Sequence, residues 1–120
     1  MSLPAVVEIR LRTRSRLLEV SFDDGARYEL PAEYLRVHSP SAEVQGHGGG
    51  EGVLVSGKQD VGISAVEAVG HYAVRLRFDD GHDTGLYTWK YLHELGSEQE
   101  ARWLMYLRRL EQAGIKRRTP

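Results

Sequence analysis

Residues 72–81 have the sequence YAVRLRFDDG, in which apolar and basic side chains alternate before a tight-turn signal. Alternation with a period of two is typical of a half-buried β-strand, so we predict a strand over residues 72–78 with both arginines on its solvent side. Asp79-Asp80-Gly81 predicts a hairpin turn, because glycine adopts a positive φ without a Cβ clash. This stretch therefore predicts one hairpin of an antiparallel sheet.

A similar pattern occurs earlier in the chain. Phe22-Asp23-Asp24-Gly25, Leu30 and Tyr34-Leu35 parallel Phe78-Asp79-Asp80-Gly81, Leu86 and Tyr91-Leu92. The offset between the copies is longer by a single position at the helix start than at the turn, so the second copy carries an insertion. Chance use of a common turn explains the turns alone, whereas a duplication also explains the Tyr-Leu pairs. We favour a duplication, which predicts two similar hairpins in one sheet.

The remaining elements follow from periodicity and from residues that begin or end helices. Strands are predicted near residues 5–12, 17–22, 53–55 and 61–69, with a bulge at Gly70. Helices are predicted after Pro31 as far as Leu35, from Thr88 to Leu95 with Gly96 as the stop, and over residues 98–113 after a capping box at Ser97-Glu98-Gln99-Glu100.

Together these elements predict one α+β domain over residues 1–120. Its antiparallel-rich sheet of five to seven strands has two similar β-hairpins, and two C-terminal helices pack on one face of it. Residues 38–52, including a glycine-rich part at 45–52, lack periodicity and predict a surface loop. Residues 114–120 form a short basic tail.

Composition excludes several classes of function. The chain has 16 basic and 17 acidic residues and a net charge of −1, which argues against a dedicated nucleic-acid binder. It has no cysteine, which excludes disulfides, thiolate nucleophiles and cysteine zinc motifs. We see no signal peptide or membrane-spanning stretch and expect a cytoplasmic protein. The oligomeric state is left open.

Four segments resemble the N-terminal domain of γ-butyrobetaine and trimethyllysine hydroxylases. They are Tyr34–Ser41, Val69–Val74, Phe78–His82 and Gly85–Trp89, and the likeness covers roughly residues 6–97. The same domain, known as domain of unknown function 971, occurs in small stand-alone bacterial proteins and at the C-terminal end of some Fe–S assembly proteins. The chain looks like a stand-alone version, and the iron and 2-oxoglutarate chemistry of the hydroxylases belongs to a separate catalytic domain that we do not find here.

The resemblance also implies where a zinc site would lie. In the hydroxylases, three cysteines and a histidine after the acidic turn bind zinc, and these positions correspond to Ser39, Ser41, Val44 and His82. A hydroxyl is a poor zinc ligand and valine is none. We therefore expect no zinc and no other cofactor, with His82 as a remnant of the site.

His82 has three possible roles, which are hydrogen bonding to its own turn, contact with a partner, and metal binding with His38 and His47. We favour the first. The other candidates for partner contact are Arg108 and Arg109, whose charges also complement the end of a helix dipole.

Two further motifs predict no site. Gly52–Gln59 resembles a P-loop, but Gln59 stands where a serine or threonine is needed and no helix follows. The acidic pairs Asp23-Asp24 and Asp79-Asp80 lie on predicted turns, where we expect solvated carboxylates.

Three functions remain open. We favour a non-catalytic interaction or accessory module with an unknown protein partner, and the likeness to Fe–S assembly proteins suggests a role in Fe–S or oxidoreductase maturation. The alternatives are a small metal-binding protein that uses histidines and carboxylates, and a small-molecule enzyme with dispersed site residues. We lean against an enzyme, because no local catalytic motif is visible.

Overall fold

The computed structural model describes residues 4–41 and 53–117, which form six strands and three helices. The first half contains β1 (Val6–Arg12), β2 (Leu17–Phe22), β3 (Arg27–Pro31) and α1 (Ala32–Val37). The second half contains β4 (Ile63–Val69), β5 (Ala73–Phe78), β6 (Leu86–Thr88) and α2 (Trp89–Ser97). The last helix, α3, spans Gln99–Gln112.

The α+β class, the antiparallel strands and the two C-terminal helices are confirmed. The two hairpins, however, lie in separate three-stranded sheets, β1-β2-β3 and β4-β5-β6, rather than in one. Both sheets have an irregular register at the same place in their first strand, between Val6 and Glu8 and between Ile63 and Ala65. The repeat in the sequence therefore corresponds to two similar strand–strand–strand–helix units.

The two hairpin turns share their backbone geometry as well as their sequence. Gly25 has φ +89° and Gly81 has φ +91°, a region that side chains with a Cβ rarely adopt. In each turn the second aspartate accepts a hydrogen bond from the backbone two residues on, at 2.9 Å from Ala26 and 3.1 Å from His82. This Asx-type bond satisfies an amide that the tight turn leaves outside the ladder.

One hydrophobic core joins the two halves. Its fully buried members come from both sheets and from the first two helices, and include Leu18, Leu30, Leu35, Leu76, Tyr87 and Leu92. Burying a leucine side chain contributes about 2 kcal/mol. Helix α2 contacts both β3 and β6, so it holds the two sheets against a single core.

Two tyrosines also connect the halves reciprocally. The hydroxyl of Tyr34 on α1 donates to the carbonyl oxygen of Leu95 on α2 at 2.7 Å. The hydroxyl of Tyr91 on α2 donates to the carbonyl oxygen of His38, just after α1, at 2.5 Å. The internal repeat relates the two bonds, because Tyr34 corresponds to Tyr91 and His38 corresponds to Leu95. Burial raises the pKa of both tyrosines, which keeps them protonated as donors.

Three predictions about the strands are wrong. Residues 53–55 form no strand, and Gly70 lies in the turn between β4 and β5 with φ +61° instead of forming a bulge. Tyr72 lies in that turn, before β5, and 65% of its surface is exposed. An apolar or β-branched run of sequence favours a β-strand. Whether its residues form one depends on pairing with another strand in the folded sheet.

The helix ends are partly as predicted. Thr88 caps α2 by accepting from the Tyr91 amide at 3.1 Å, and Glu98 pairs with Arg102 at 3.0 Å. Gly96 does not stop α2, which continues to Ser97, and no capping box forms. The Ser97 hydroxyl donates to the carbonyl oxygen of Glu94, while Glu98 is the N-cap of α3 without a side-chain capping bond. Over residues 4–41 and 53–117, no helix is long and apolar enough to cross a membrane.

Candidate functional site

Two serines and a histidine form a buried polar cluster at the junction of the two halves. The Oγ of Ser39 lies 2.9 Å from His82 Nε2, and the Oγ of Ser41 lies 3.4 Å from both of these atoms. Their exposed fractions are 0% for Ser39 and 7% for Ser41 and His82. The prediction of a surface loop is thus wrong for residues 38–41, because their serines lie beneath the second hairpin turn. Residues 42–52 of that predicted loop lie outside the described residues.

His82 is bonded to its own turn through its backbone. Its amide donates to Asp80 Oδ1 at 3.1 Å, and its carbonyl oxygen accepts from the Phe78 amide at 2.9 Å. The His82 ring is buried, so little of its surface is open to a protein partner. Both the turn-bonding role that we favoured and the partner-contact role stay predictions.

Asp80 carries a network of ion pairs next to this cluster. Its Oδ2 lies 2.9 Å from Arg36 Nε and 2.7 Å from Lys58 Nζ. Burial opposes ionisation of the carboxyl, but bonds from Lys58, the His82 amide and Arg36 outweigh it and lower the pKa of Asp80 to about 2. The prediction of a solvated carboxylate is therefore wrong for Asp80, and the lysine of the P-loop-like segment binds this carboxylate.

The donor set of the cluster does not fit zinc. A closed tetrahedral site needs four nitrogen, sulfur or carboxylate ligands, and only the imidazole of His82 is a good one here. The Nδ1 of His38 bonds to the Tyr34 carbonyl oxygen at 2.9 Å rather than to the cluster. Among the described residues, no three histidine, aspartate or glutamate side chains are grouped closely enough to hold a metal ion. Val44 and His47 lie outside that part of the chain.

A groove lies beside the cluster, between the end of α1 and one side of α3. It has a volume of about 610 Å³. Its lining includes His38, residues 53–55, and Arg102, Met105 and Arg109 of α3. The groove contains Arg109, which the sequence predicted as a partner contact, whereas Arg108 is exposed outside it. The acidic pairs are not in its lining.

The polar groups of the groove are tied into structural bonds. The Tyr91 hydroxyl is bonded to the His38 carbonyl oxygen, and the Tyr106 hydroxyl donates to the Val55 carbonyl oxygen at 2.7 Å. Burial lowers the pKa of His38, which favours the neutral ring at pH 7, and its Nδ1 must carry the proton to donate to Tyr34. The guanidinium of Arg102 bonds to Glu98 and lies 5.8 Å from the centre of the Tyr91 ring.

Two arginines line the groove, Arg102, which is paired with Glu98, and Arg109. No aspartate or glutamate is found among its described lining residues. Met105 and Val53 form an apolar rim with 55% and 53% of their surface exposed. Sequence patterns do not reveal this site, because residues 53–55 are far from α3 along the chain. The signal in the sequence was Met105, which lies between Arg102 and Arg109 at helical spacing.

Comparisons with known proteins place the chain in one family. The profile of the family described as "Gamma-butyrobetaine hydroxylase-like, N-terminal" matches residues 9–93. Two proteins with NMR solution structures are similar over 97% of this chain, with a TM-score of 0.83 each. One is 52% identical and matched over 86% of its own chain, and the other is 48% identical and matched over 91%.

A third solved structure carries a family name. It is the crystal structure of a protein of unknown function from Acidithiobacillus ferrooxidans ATCC 23270, which belongs to the DUF971 family. It is 42% identical, with a TM-score of 0.66 over 78% of this chain and 94% of its own. None of the curated proteins matches the chain. Since the family profile covers well over half of its length, the chain belongs to the family of γ-butyrobetaine hydroxylase-like N-terminal domains, DUF971.

Proposed function

We propose that the protein is a non-catalytic binding module that holds an acidic, partly apolar segment of a partner protein in the groove between α1 and α3. The observation that carries the proposal is the lining of the groove, which combines apolar walls with two arginines and contains no described carboxylate. Charges of opposite sign across an interface speed encounter and disfavour wrong partners. A segment with carboxylates beside apolar side chains matches both features.

The rim of the groove is suited to a protein segment. Methionine and arginine are enriched in protein interfaces, and Met105 is half exposed between Arg102 and Arg109 on successive turns of α3. The unbranched thioether of a methionine adapts to different apolar surfaces. Exposed apolar side chains grouped around a concave surface mark interaction sites more often than isolated ones do.

The groove is less suited to catalysis by the dispersed residues that the sequence left open. Of the histidines and aspartates considered, His38 alone lines it within the described part of the chain. The two tyrosine hydroxyls that line it are hydrogen-bonded to backbone carbonyls. A general acid or base must be free to exchange a proton with the substrate, and these two hydroxyls are committed to bonds within the fold. By analogy with other members of the family, the setting that we propose is Fe–S or oxidoreductase maturation in the cytoplasm.

Site-specific photo-cross-linking tests this function. A photoreactive amino acid replaces Met105 in the groove, and a control protein carries it in place of Val7, which is 63% exposed on β1. We expect position 105 to give a discrete adduct in native lysate, whose cross-linked peptide is acidic by mass spectrometry. Position 7 should not give this adduct.

Two neighbouring arginines supply matched controls in the same experiment. Arg109→Glu reverses the charge inside the groove, and Arg108→Glu makes the same change one residue away, outside it. We expect the adduct to disappear with Arg109→Glu and to persist with Arg108→Glu. Equal loss with both variants, or a basic cross-linked peptide, would show that the groove does not select an acidic partner.

A further inference from the structure

Arg117 is held by two side chains from different parts of the fold. Its Nε lies 3.2 Å from Glu33 Oε2, and its Nη2 donates to Glu33 Oε1. Its guanidinium carbon lies 5.0 Å from the centre of the Trp103 ring. A two-pronged bond to a carboxylate combined with stacking on an indole is a specific way to hold a guanidinium, since lysine has no planar fork.

The two residues that hold Arg117 also line a cavity. This second cavity has a volume of about 720 Å³, and its lining includes Glu33, Tyr34, Glu100 and Trp103. Its side of α3 carries a carboxylate and an indole, whereas the groove side carries two arginines. The cavity therefore extends the surface that holds Arg117 with further aromatic and acidic groups.

Arg117 is attached to the fold more loosely than the residues that hold it. It lies beyond the end of α3 at Gln112, in a segment without regular secondary structure, and 30% of its side chain is exposed. Glu33 belongs to α1, and only 11% of its side chain is exposed. Withdrawing Arg117 would leave α1 and α3 intact and open a carboxylate and an indole to another cation.

From this arrangement we propose that Glu33 and Trp103 form a binding site for an arginine side chain of a peptide, and that Arg117 occupies the site as an internal competitor. A tethered competitor acts at an effective concentration of about millimolar. A peptide then binds the site weakly until Arg117 leaves, because only the open fraction of the protein is competent. The site is lined by different residues from the groove and selects the opposite charge.

NMR titration tests the proposal with defined probes. The probes are N-acetyl-arginine amide and its neutral analogue N-acetyl-citrulline amide, added to wild type and to Arg117→Ala. The signal is the indole N–H of Trp103, assigned with Trp103→Phe. The indole of Trp89 serves as an internal control, since it donates to the His71 carbonyl oxygen elsewhere in the fold. We expect the arginine probe to shift only the Trp103 signal and to bind Arg117→Ala about tenfold more tightly than wild type.

Two further comparisons make the result decisive. The citrulline probe should leave the Trp103 signal of Arg117→Ala unchanged, and Glu33→Gln in the Arg117→Ala background should abolish the shift by the arginine probe. An unchanged Trp89 signal shows that each variant is folded. Equal affinity of wild type and Arg117→Ala, or an equal shift by the citrulline probe, would overturn the proposal. Neither result would affect the groove, whose test uses other residues.

Discussion

The two halves meet at two junctions, which lie at corresponding backbone positions but contain different types of side chain. In the aromatic junction (Phe22, Tyr28, His93 and Gly96), the Tyr28 ring lies so close to Gly96 that an added Cβ would be 2.2 Å from it. In the polar junction (Ser39, Ser41, His82 and Gly85), an added Cβ on Gly85 would be 2.5 Å from Ser39 Oγ. The strand registers pair Leu18 with Leu30 and Val74 with Tyr87, so Gly85 takes the place of Tyr28 in the second sheet. Ser39 corresponds to Gly96 in the internal repeat, so the large and small partners are exchanged.

Because of this exchange, the same backbone arrangement encloses packed aromatic rings at one junction and a hydrogen-bonded polar cluster at the other. In the aromatic junction, His93 packs edge-on against Phe22 and Tyr28, with ring centres 4.8 and 5.7 Å away. Aromatic pairs prefer this edge-to-face arrangement, and most of their stabilisation comes from the large apolar area that they bury. In the polar junction, glycine at position 85 leaves room for hydroxyls and an imidazole, whose stability depends on every hydrogen bond being made.

The charge pairs beside the two junctions differ in the same way. Asp24 of the first turn pairs with His93 on α2 at 2.9 Å, and Asp80 of the second turn pairs with Arg36 on α1 at 2.9 Å. Arg36 and His93 also occupy corresponding positions of the internal repeat. Each turn thus binds the helix of the other half. The polar junction has a permanently charged partner, whereas the histidine of the aromatic junction is charged only when protonated.

The largest effect is expected from adding a side chain at Gly96 in the aromatic junction. Gly96→Ala places a methyl group inside the Tyr28 ring, so we expect it to lower the free energy of unfolding by about 3 kcal/mol. Urea denaturation measures the change. Adding Tyr28→Ala should recover part of the loss, because it removes the atoms that clash. A double variant less stable than the sum of the two single changes would contradict this close contact.

The next effect compares the two turn carboxylates. Asp80→Asn leaves Arg36 and Lys58, with only 12% and 26% of their side chains exposed, without their anion. We expect a loss of about 2 kcal/mol in the free energy of unfolding. The matched Asp24→Asn should lose much less, since 40% of the Asp24 side chain is exposed. Equal losses would show that burial does not distinguish the two junctions.

The same carboxylate predicts a dependence on pH. The pKa of Asp80 is about 2 in the folded protein, below its ordinary value near 4, so its contribution to stability is present above pH 4. That contribution is lost as the pH falls through about 2. We expect acid to reduce the stability difference between wild type and Asp80→Asn. A difference that persists at pH 2 would contradict the assignment.

A smaller effect tests the hydrogen bonds of the polar junction. Ser39→Ala removes the hydroxyl that bonds to His82 Nε2 and should lower the free energy of unfolding by about 1 kcal/mol. Ser39→Cys fills nearly the same volume with a weaker hydrogen-bonding group and serves as the size control. Thermal unfolding in a common buffer ranks the variants. Wild-type stability in Ser39→Ala would mean that the bond contributes nothing.

The smallest effect is expected from zinc. Because the donor atoms at Ser39, Ser41 and His82 do not fit a zinc site, we expect equimolar Zn²⁺ to leave the melting temperature of the untagged protein unchanged. Elemental analysis of the purified protein provides an independent measurement. A stoichiometric metal with a raised melting temperature would show that ligands outside this cluster complete a site, and would favour the metal-binding alternative.

The elements that the sequence predicts well are those that depend on neighbours along the chain. The two Asp-Asp-Gly turns, the strand over residues 73–78 and the Thr88 cap all involve residues at most a few positions apart. The family also follows from the sequence, and the likeness over residues 6–97 is close to the matched range of 9–93. Periodicity and turn chemistry act locally, so these features need no knowledge of the rest of the molecule.

Predictions fail where a distant residue decides the outcome. Ser97-Glu98-Gln99-Glu100 has the sequence of a capping box, yet α2 continues through Gly96 because the small glycine lets the helix lie against Tyr28. Ser39 and Ser41 lie in a loop-like sequence but are buried by the second hairpin. Asp80 lies on a turn but binds Arg36 of the other half.

By itself, then, the sequence determined the α+β class, the repeated hairpin unit, the family and the absence of thiol chemistry, since these depend on composition and on local spacing. Only the tertiary structure decided that the strands divide into two sheets, that one junction is aromatic and the other polar, and that α3 presents arginines on one side and Trp103 on the other. The physical reason is that burial and pairing free energies belong to contacts between segments distant along the chain, which exist only after the two halves pack on a common core.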